Sequence, residues 1–389
     1  MQRLLEGFRI VDLTTGLAGP YCTRLLSDLG AEVIKVESLE GDDARYLPPD
    51  GFGAKPSATF LELNCGKLGV SLDFNAAKSR GALWRLISLS DALVEDWEEG
   101  DLARFGLGYQ EISRSFPWLV ECSITPYGRT GPYAGRPGSG LTGDAAAGIL
   151  DQTGFAGDSP LPLGYAFGEM NAGIHAVAGI IAALFRQRRE GVGQQVDISM
   201  VECSLGVQDT AVQEYLFSLG EIVRTRGGAC RSSLVPYGVW TAPDGHIAIT
   251  GWERLWAGLG RQELLADPRF ATPSARIEHK DEVRAEIEET LSALGSVREA
   301  EARLQGSDVV AFRVRSLPEA VADPQVAARG LLSWVPDPDR GPMQVRDTPF
   351  HFSDATSQVR GPAPSLGEHN DVIWGELCGD IVSHSASDA

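Results

Sequence analysis

Along residues 8–125 the apolar positions come in short β-branched runs, each followed by a stretch in which they recur at helical spacing. Phe8-Arg9-Ile10-Val11-Asp12-Leu13 predicts a strand, and the small residues from Thr14 to Gly19 predict a turn. Pro20 suits the first turn of a helix, where its missing N–H has no partner to lose, and Leu25, Leu26 and Leu29 give that helix an apolar face. Gly30 ends it, and Ala31-Glu32-Val33-Ile34-Lys35-Val36-Glu37 predicts the next strand. Two strands joined through a helix within about thirty residues form a βαβ unit, which requires parallel pairing. The pattern repeats with a strand at Gly69–Phe74, a helix over 76–89, a strand at Ala92-Leu93-Val94, a helix over 102–114 and a strand at Leu119–Ile124. A doubly wound α/β sheet follows.

From Gly128 to Gly168 the text turns to Gly, Pro, Ala and Ser, which predicts loops with at most a short helix over 142–150. Loops of that length in a compact chain usually carry function. Residues 169–186 then predict a helix that is apolar on most sides and therefore buried, with Ile174, Val177, Ile181, Leu184 and Phe185 at helical spacing. Beyond Gly227-Gly228 the character changes again. The runs 235–240 and 246–250 flank Ala242-Pro243-Asp244-Gly245 and predict a β-hairpin, and charged helices follow over 281–294 and 297–304. These belong to a second, smaller α+β domain. The tail after Pro324 reads as short strands and Pro-rich loops, with fraying expected from Ser383.

Composition narrows the class. At 389 residues, with 43% hydrophobic and 22% charged positions, the chain is long enough for two folded domains. The formal charge of −19 and the absence of any Lys/Arg run longer than Arg188-Arg189 argue against a nucleic-acid partner. The first residues lack the apolar core of a signal peptide, and no uninterrupted apolar stretch approaches the ~20 residues of a membrane span, so a cytoplasmic location is expected, with no membrane partner. Cysteines 22, 65, 122, 203, 230 and 378 are scattered, which fits reduced thiols and no metal site. After the first strand the text is Gly16-Leu17-Ala18-Gly19-Pro20, which lacks the G-x-G-x-x-G spacing that seats a pyrophosphate, so nicotinamide or flavin binding is not expected.

Three stretches together carry a family resemblance. The first runs from Leu5-Glu6-Gly7-Phe8 through Ala18-Gly19-Pro20 and Leu29–Glu37 to Gly41-Asp42-Asp43-Ala44-Arg45. The second comprises Gly131-Pro132-Tyr133, Gly168-Glu169 with its apolar helix, and Gly191-Val192-Gly193-Gln194-Gln195-Val196-Asp197. The third joins Asp323-Pro324-Gln325-Val326-Ala327-Ala328-Arg329-Gly330 to Ala363-Pro364-Ser365-Leu366-Gly367-Glu368-His369. In this order the chain resembles the class III CoA-transferases, the family of L-carnitine dehydratase, bile-acid-inducible protein F, formyl-CoA transferase and the α-methylacyl-CoA racemases. The resemblance implies a Rossmann-like large domain, its N-terminal part at 1–221, a small α+β domain at 222–324, and a segment 325–389 returning to the large domain. It also implies an interlocked homodimer, with a heteromer as the alternative.

The same resemblance implies the chemistry. The family's nucleophile is a carboxylate at the position of Glu169, where relatives usually carry Asp. It attacks an acyl-CoA thioester, and a small organic acid accepts the CoA. No tightly bound cofactor is implied, since coenzyme A arrives as a substrate. Arg45, Leu72, Asp96, Trp97, Arg104 and Phe105 match positions around the CoA nucleotide, and Leu17 and Ser139 match positions in the substrate pocket. Ser139 stands where the racemase branch has a histidine, and a serine is no base at neutral pH. Three departures stand out: Glu169 is one methylene longer than usual, Leu17 lacks a donor found in many transferases, and the loop after the fourth strand holds Asp96, Glu98, Glu99 and Asp101. They leave open a non-catalytic binding or silent-subunit role, or a racemase or isomerase using Glu169 as base. Read alone, Glu169 is also an ordinary acidic residue for the first turn of a helix.

Overall fold

Six parallel strands form the centre of the chain's first half. The computed structural model describes residues 2–48, 56–231, 234–337 and 341–379, and the tail expected to fray from Ser383 lies outside them. Up to residue 125 the strands and α-helices are β1 (Arg9–Asp12), α1 (Ala18–Asp28), β2 (Glu32–Glu37), α2 (Ala58–Asn64), β3 (Leu68–Ser71), α3 (Ser79–Ser88), β4 (Ala92–Glu95), α4 (Glu99–Phe105), α5 (Tyr109–Ser115) and β5 (Val120–Thr125). There follow α6 (Gly140–Ala146), α7 (Ile149–Gln152), α8 (Phe167–Glu190), β6 (Gln195–Ser199) and α9 (Met200–Gly206). The sheet order is β3-β2-β1-β4-β5-β6, all pairs parallel. Strand order reverses between β1 and β4, and in such sheets the crevice beyond the carboxyl ends of those strands is the ligand site.

The described residues of Met1–Ala147, Tyr165–Val207 and Gln325–Ala389 form one compact unit. Strand alternation sends side chains to both faces of its sheet. Ile10, Val94, Cys122 and Ile124 meet α1 and α8 on one face, while Val11, Ile34, Val70 and Leu93 meet α3 on the other. The end of the chain closes the second face: Ile373 and Trp374 are buried there, and the Trp374 indole N–H donates to Ser71 O at 3.1 Å.

Several local expectations are corrected. The helix expected over 102–114 is two helices, because Gly106 takes φ +67° and caps α4 in the left-handed conformation that a non-glycine residue adopts at a cost. β6, which the sequence pattern did not flag, begins inside the Gly191–Asp197 motif. α8 is a core helix on one side only: Ala172, Ala176, Val177, Ile180, Ala183 and Leu184 are buried, whereas Ile174, Ile181 and Phe185 are exposed. By length and composition α8 could cross a membrane; half of its most apolar window is buried inside this chain.

The second unit comprises Gly148–Gly164 and Gln208–Pro324. It contains α10 (Ala211–Phe217), β7 (Tyr237–Ala242), β8 (Gly245–Thr250), α11 (Glu253–Leu259), α12 (Pro273–Glu278), α13 (Lys280–Ser292), α14 (Val297–Gln305) and β9 (Val310–Arg313). β7 and β8 form the expected hairpin, with Pro243-Asp244 as its two-residue turn, and β9 adds a third antiparallel strand. Trp240, Ile247, Ile249, Trp256, Ile287 and Leu304 fill the space between this sheet and α11, α13 and α14. The sheet's other face, with Val239, Ala248 and Phe312, lines a cavity of about 810 Å³ shared with Gly227–Arg231.

Candidate active site

α8 begins without a side-chain cap, since Ala166 precedes it and offers none. Glu169 sits in the first turn, where the helix dipole favours a negative charge by about 0.3–1 kcal/mol. Its side chain turns to α6, and Gly140 N–H donates to Glu169 Oε1 at 2.8 Å. Two glycines permit this approach. A Cβ at Gly140 would fall 1.9 Å from Glu169 Oε2, and a Cβ at Gly168 would fall 2.7 Å from Gly140 O. A third, Gly173, lets α8 cross α1 closely, because a Cβ there would stand 2.8 Å from Ala18 O.

Glu169 is half-buried, and none of the described cations forms an ion pair with it. Leu17 lies just before α1, half-buried against the core that α1 and α8 share. Ser139 is spent on structure: it is the N-cap of α6 in a reciprocal capping box with Thr142. His175 is on the exposed side of α8, and its Nδ1 lies 2.9 Å from Asn171 O of the same helix.

The sequence-predicted nucleotide residues gather around the carboxyl ends of β1, β2 and β4. A cavity of about 320 Å³ opens there, lined by Leu13, Thr14, Glu37, Asp42, Phe74, Asp96, Trp97, Asp101 and Arg104 among others. Trp97 stands edge-on to Phe74 and Phe105, with ring centroids 5.0 and 5.5 Å away. Phe105 and Leu72 are buried behind the wall and do not line the cavity. Trp97 is pinned: its indole N–H donates to Leu13 O at 2.9 Å, and its backbone N–H donates to Glu95 Oε2 at 2.8 Å. Arg129 completes the hold, with Nη2 donating to both Glu95 oxygens at 2.8 and 2.6 Å and to Trp97 O at 2.8 Å. Sequence reasoning did not single out Arg129 or Phe74, whose partners lie 34 and 23 positions away along the chain.

Arg45 is not at the cavity. It is 5% exposed, bonds both oxygens of Glu37 at 2.7 Å, donates to Pro364 O at 3.1 Å and lies 3.7 Å over the Phe60 ring. Arg104 is therefore the one cation among the described lining residues, exposed and 3.3 Å from Asp101. The acidic loop is milder than its sequence suggests. Glu98 and Glu99 cap and open α4, where the dipole accommodates them, and neither lines the cavity. Glu37 is matched by Arg45, and Asp42 by Lys35 at 2.8 Å. Asp96 keeps only a backbone N–H from Thr15 at 2.8 Å and a weak hydroxyl contact, and desolvation, with Glu95 nearby, pushes its carboxyl up to about 7. Beneath the loop lies a sealed charge network. Asp12 is bonded to Lys67 at 2.9 Å and to the hydroxyls of Thr14 and Thr23 at 2.6 Å. Burial alone would raise the Asp12 carboxyl, but Lys67, Lys35 and the two hydroxyls outweigh it and hold it below the usual range.

This constellation of a doubly wound sheet, a crevice at its reversal point and a carboxylate on the first turn of the core helix extends through the chain, and so does its likeness to known proteins. The model of CoA-transferase family III matches residues 5–370. The chain belongs to that family. Among relatives, succinyl-CoA–D-citramalate CoA-transferase of Chloroflexus aurantiacus is 31% identical over 387 residues, covering 97% of this chain and 94% of the relative. Succinate–glutarate CoA-transferase of Agrobacterium fabrum is 33% identical over 384 residues, covering 96% and 95%. Among solved structures, a CAIB/BAIF family protein from Brucella suis superposes with a TM-score of 0.84 at 35% identity, over 96% of this chain and 99% of that one.

Proposed function

We propose that this family III member is an acyl-CoA:carboxylate CoA-transferase whose nucleophile is Glu169. The observation that carries the reading is the state of that carboxylate: half-buried on the first turn of α8, one oxygen on Gly140 N–H, and no described cation upon it. A free Glu169 oxygen attacks the thioester carbonyl and the C–S bond breaks, giving a mixed anhydride and CoA thiolate. The thiolate attacks Glu169 Cδ, the donor acid leaves with that oxygen, and Glu169 becomes a thioester. The acceptor carboxylate attacks the same carbon and expels the thiolate, which then attacks the acceptor's carbonyl, releasing the new acyl-CoA and the Glu169 carboxylate. Charge on Oε1 in the steps at Cδ is met by Gly140 N–H. The adenine end of CoA fits the Phe74–Trp97 wall, with Arg104 toward its phosphates.

The relatives named above pair succinyl-CoA or succinate with other small diacids, so succinyl-CoA is the donor to try first, with glutarate and citramalate among the acceptors. Incubation with succinyl-CoA followed by hydroxylamine or borohydride should modify Glu169, seen by peptide mass mapping. Turnover with Glu169 unmodified would sink the covalent route. Exchange of the substrate's α-hydrogen in heavy water without CoA transfer would instead identify Glu169 as a general base.

A homodimer is part of the proposal. Ile174, Ile181 and Phe185 on α8, and Leu216, Phe217, Leu219 and Ile222 around α10, are all exposed in the single chain. Sedimentation at micromolar concentration should return twice the chain mass. The described cysteines are all free thiols, which supports a cytoplasmic location.

A further inference from the structure

Gly140 is the first residue of α6, and its φ is not left-handed, so its own backbone would accept alanine. What forbids a side chain is Glu169. The three atoms nearest a Cβ at position 140 all belong to that residue: Oε2 at 1.9 Å, Cδ at 2.2 Å and the backbone N at 2.7 Å. Two of these, the closest, are side-chain atoms, whereas at Gly168 the two nearest atoms are backbone O and Cα of Gly140, at 2.7 and 2.8 Å. Gly168 sets the distance between two helix ends, whereas Gly140 holds open the space that the Glu169 carboxyl occupies.

The geometry points to a length-matched pair in which Gly140 is the positioning residue for Glu169. The missing Cβ is the room into which a carboxylate with two methylenes extends to reach the N–H at the start of α6. A carboxylate shorter by one methylene withdraws by about 1.5 Å, one carbon–carbon bond, and no longer fills that room. The chain's longer nucleophile and its side-chain-free residue 140 are one feature, and a shorter acid at 169 removes the two closest of the three contacts that a Cβ at 140 would make, leaving the backbone N. The catalytic part of this inference rests on Glu169 being the nucleophile; the steric part does not.

The test is a double-mutant cycle on the full chain: wild type, Gly140→Ala, Glu169→Asp and the double variant. Each is measured for urea midpoint and for the rate at which residue 169 is labelled by succinyl-CoA and hydroxylamine. Gly140→Ala should lower labelling by about a hundredfold, the scale of an ångström's misplacement. Glu169→Asp alone should lower it by about tenfold. In the double variant, labelling should exceed that of Gly140→Ala by about tenfold, with a higher urea midpoint; relief is incomplete because the backbone N contact remains. A double variant at or below Gly140→Ala in both measurements overturns the pairing. Glu169→Asp should not rescue Gly168→Ala, and equal rescue there would also overturn it. If Gly140→Ala does not fold, Gly140→Ala/Glu169→Ala decides: recovery of folded protein supports the pair, and failure to recover rejects it. A wild-type chain never labelled at Glu169 removes the proposed function, while the urea cycle still decides the fit.

Discussion

Asp12 and Glu169 are carboxylates of the same unit with opposite surroundings. Asp12 is fully buried and accepts from Lys67, two threonine hydroxyls and the Thr14 N–H. Glu37 and Glu95, also buried, are each gripped by both oxygens, by Arg45 and Arg129. Glu169 has one backbone donor. The difference matters for reactivity, because an oxygen that enters an anhydride gives up its charge. At an effective dielectric near 20, a cation about 4 Å away contributes about 4 kcal/mol that would be lost at that step, a barrier of about a thousandfold. A carboxylate built to hold a fold is wrapped in cations; one built to attack a thioester is better held by a neutral dipole.

The largest effect expected from breaking this contrast is at Glu169. Glu169→Gln keeps the shape and the bond from Gly140 but removes the charge, and should lower kcat for CoA transfer by about 10⁴-fold or more. Its urea midpoint should stay close to wild type, since a half-buried side chain with one bond is exchanged for an isostere. Asp12→Asn should do the reverse. It leaves Lys67 and Lys35 buried without their shared anion, at a cost of about 3–5 kcal/mol in unfolding free energy, while any folded fraction transfers CoA normally. Loss of stability at Glu169 with intact turnover, or the converse at Asp12, would undo the distinction.

The parallel sheet was legible because each of its first five strands lies in a short, largely apolar run next to a helix-period run, and burial on both faces demands that composition. β6 was missed because Gly193 and Gln194 precede it, Gln195 opens it, and its apolar positions Val196 and Ile198 are only half-buried. The split between α4 and α5 turned on one left-handed glycine, which the periodicity of Leu102, Phe105 and Ile112 conceals. At the site, Glu169 and Trp97 stood out by motif, but the partners that orient them, Gly140 and Arg129, are 29 and 32 positions away in sequence. Arg45 shows the limit most clearly. Its turn motif placed it near the nucleotide crevice, and only the structure shows its guanidinium facing Glu37 and not the cavity.

The two arginines extend the comparison to cations. Arg104 is exposed at the cavity with a loose contact to Asp101, and Arg45 is buried in a bidentate pair. Arg104→Gln should raise KM for succinyl-CoA about tenfold with kcat little changed, and the effect should shrink as ionic strength rises. Arg45→Gln should instead lower the thermal midpoint, because Glu37 would remain buried without its cation. A KM effect at Arg45 with stability preserved would show that it reaches the phosphates after all.

The smallest expected effect separates Asp96 from its paired neighbours, and it is read through pH. Its carboxyl is pushed up to about 7 by desolvation, with Glu95 adding and the Thr15 N–H opposing. A folded-state value above the unfolded one means that Asp96 contributes stability fully at pH below about 4, and that the contribution is lost as pH rises through about 7. The same titration changes the charge on a residue lining the cavity. If CoA binds there as proposed, Asp96 below the transition would be neutral toward its phosphates, and above it one more anion would face them. For a unit charge about 10 Å from a phosphate at intermediate dielectric, the repulsion is near 0.8 kcal/mol per phosphate charge, or about fourfold in affinity. KM for succinyl-CoA should therefore rise about fourfold between pH 6 and pH 8 in the wild type and stay flat in Asp96→Asn. Asp101, paired with Arg104, should give no such difference on Asp101→Asn. A wild-type profile as flat as that of Asp96→Asn would mean that the Asp96 carboxylate does not face the bound nucleotide, and the wall formed by Trp97 would have to bind CoA from its other side.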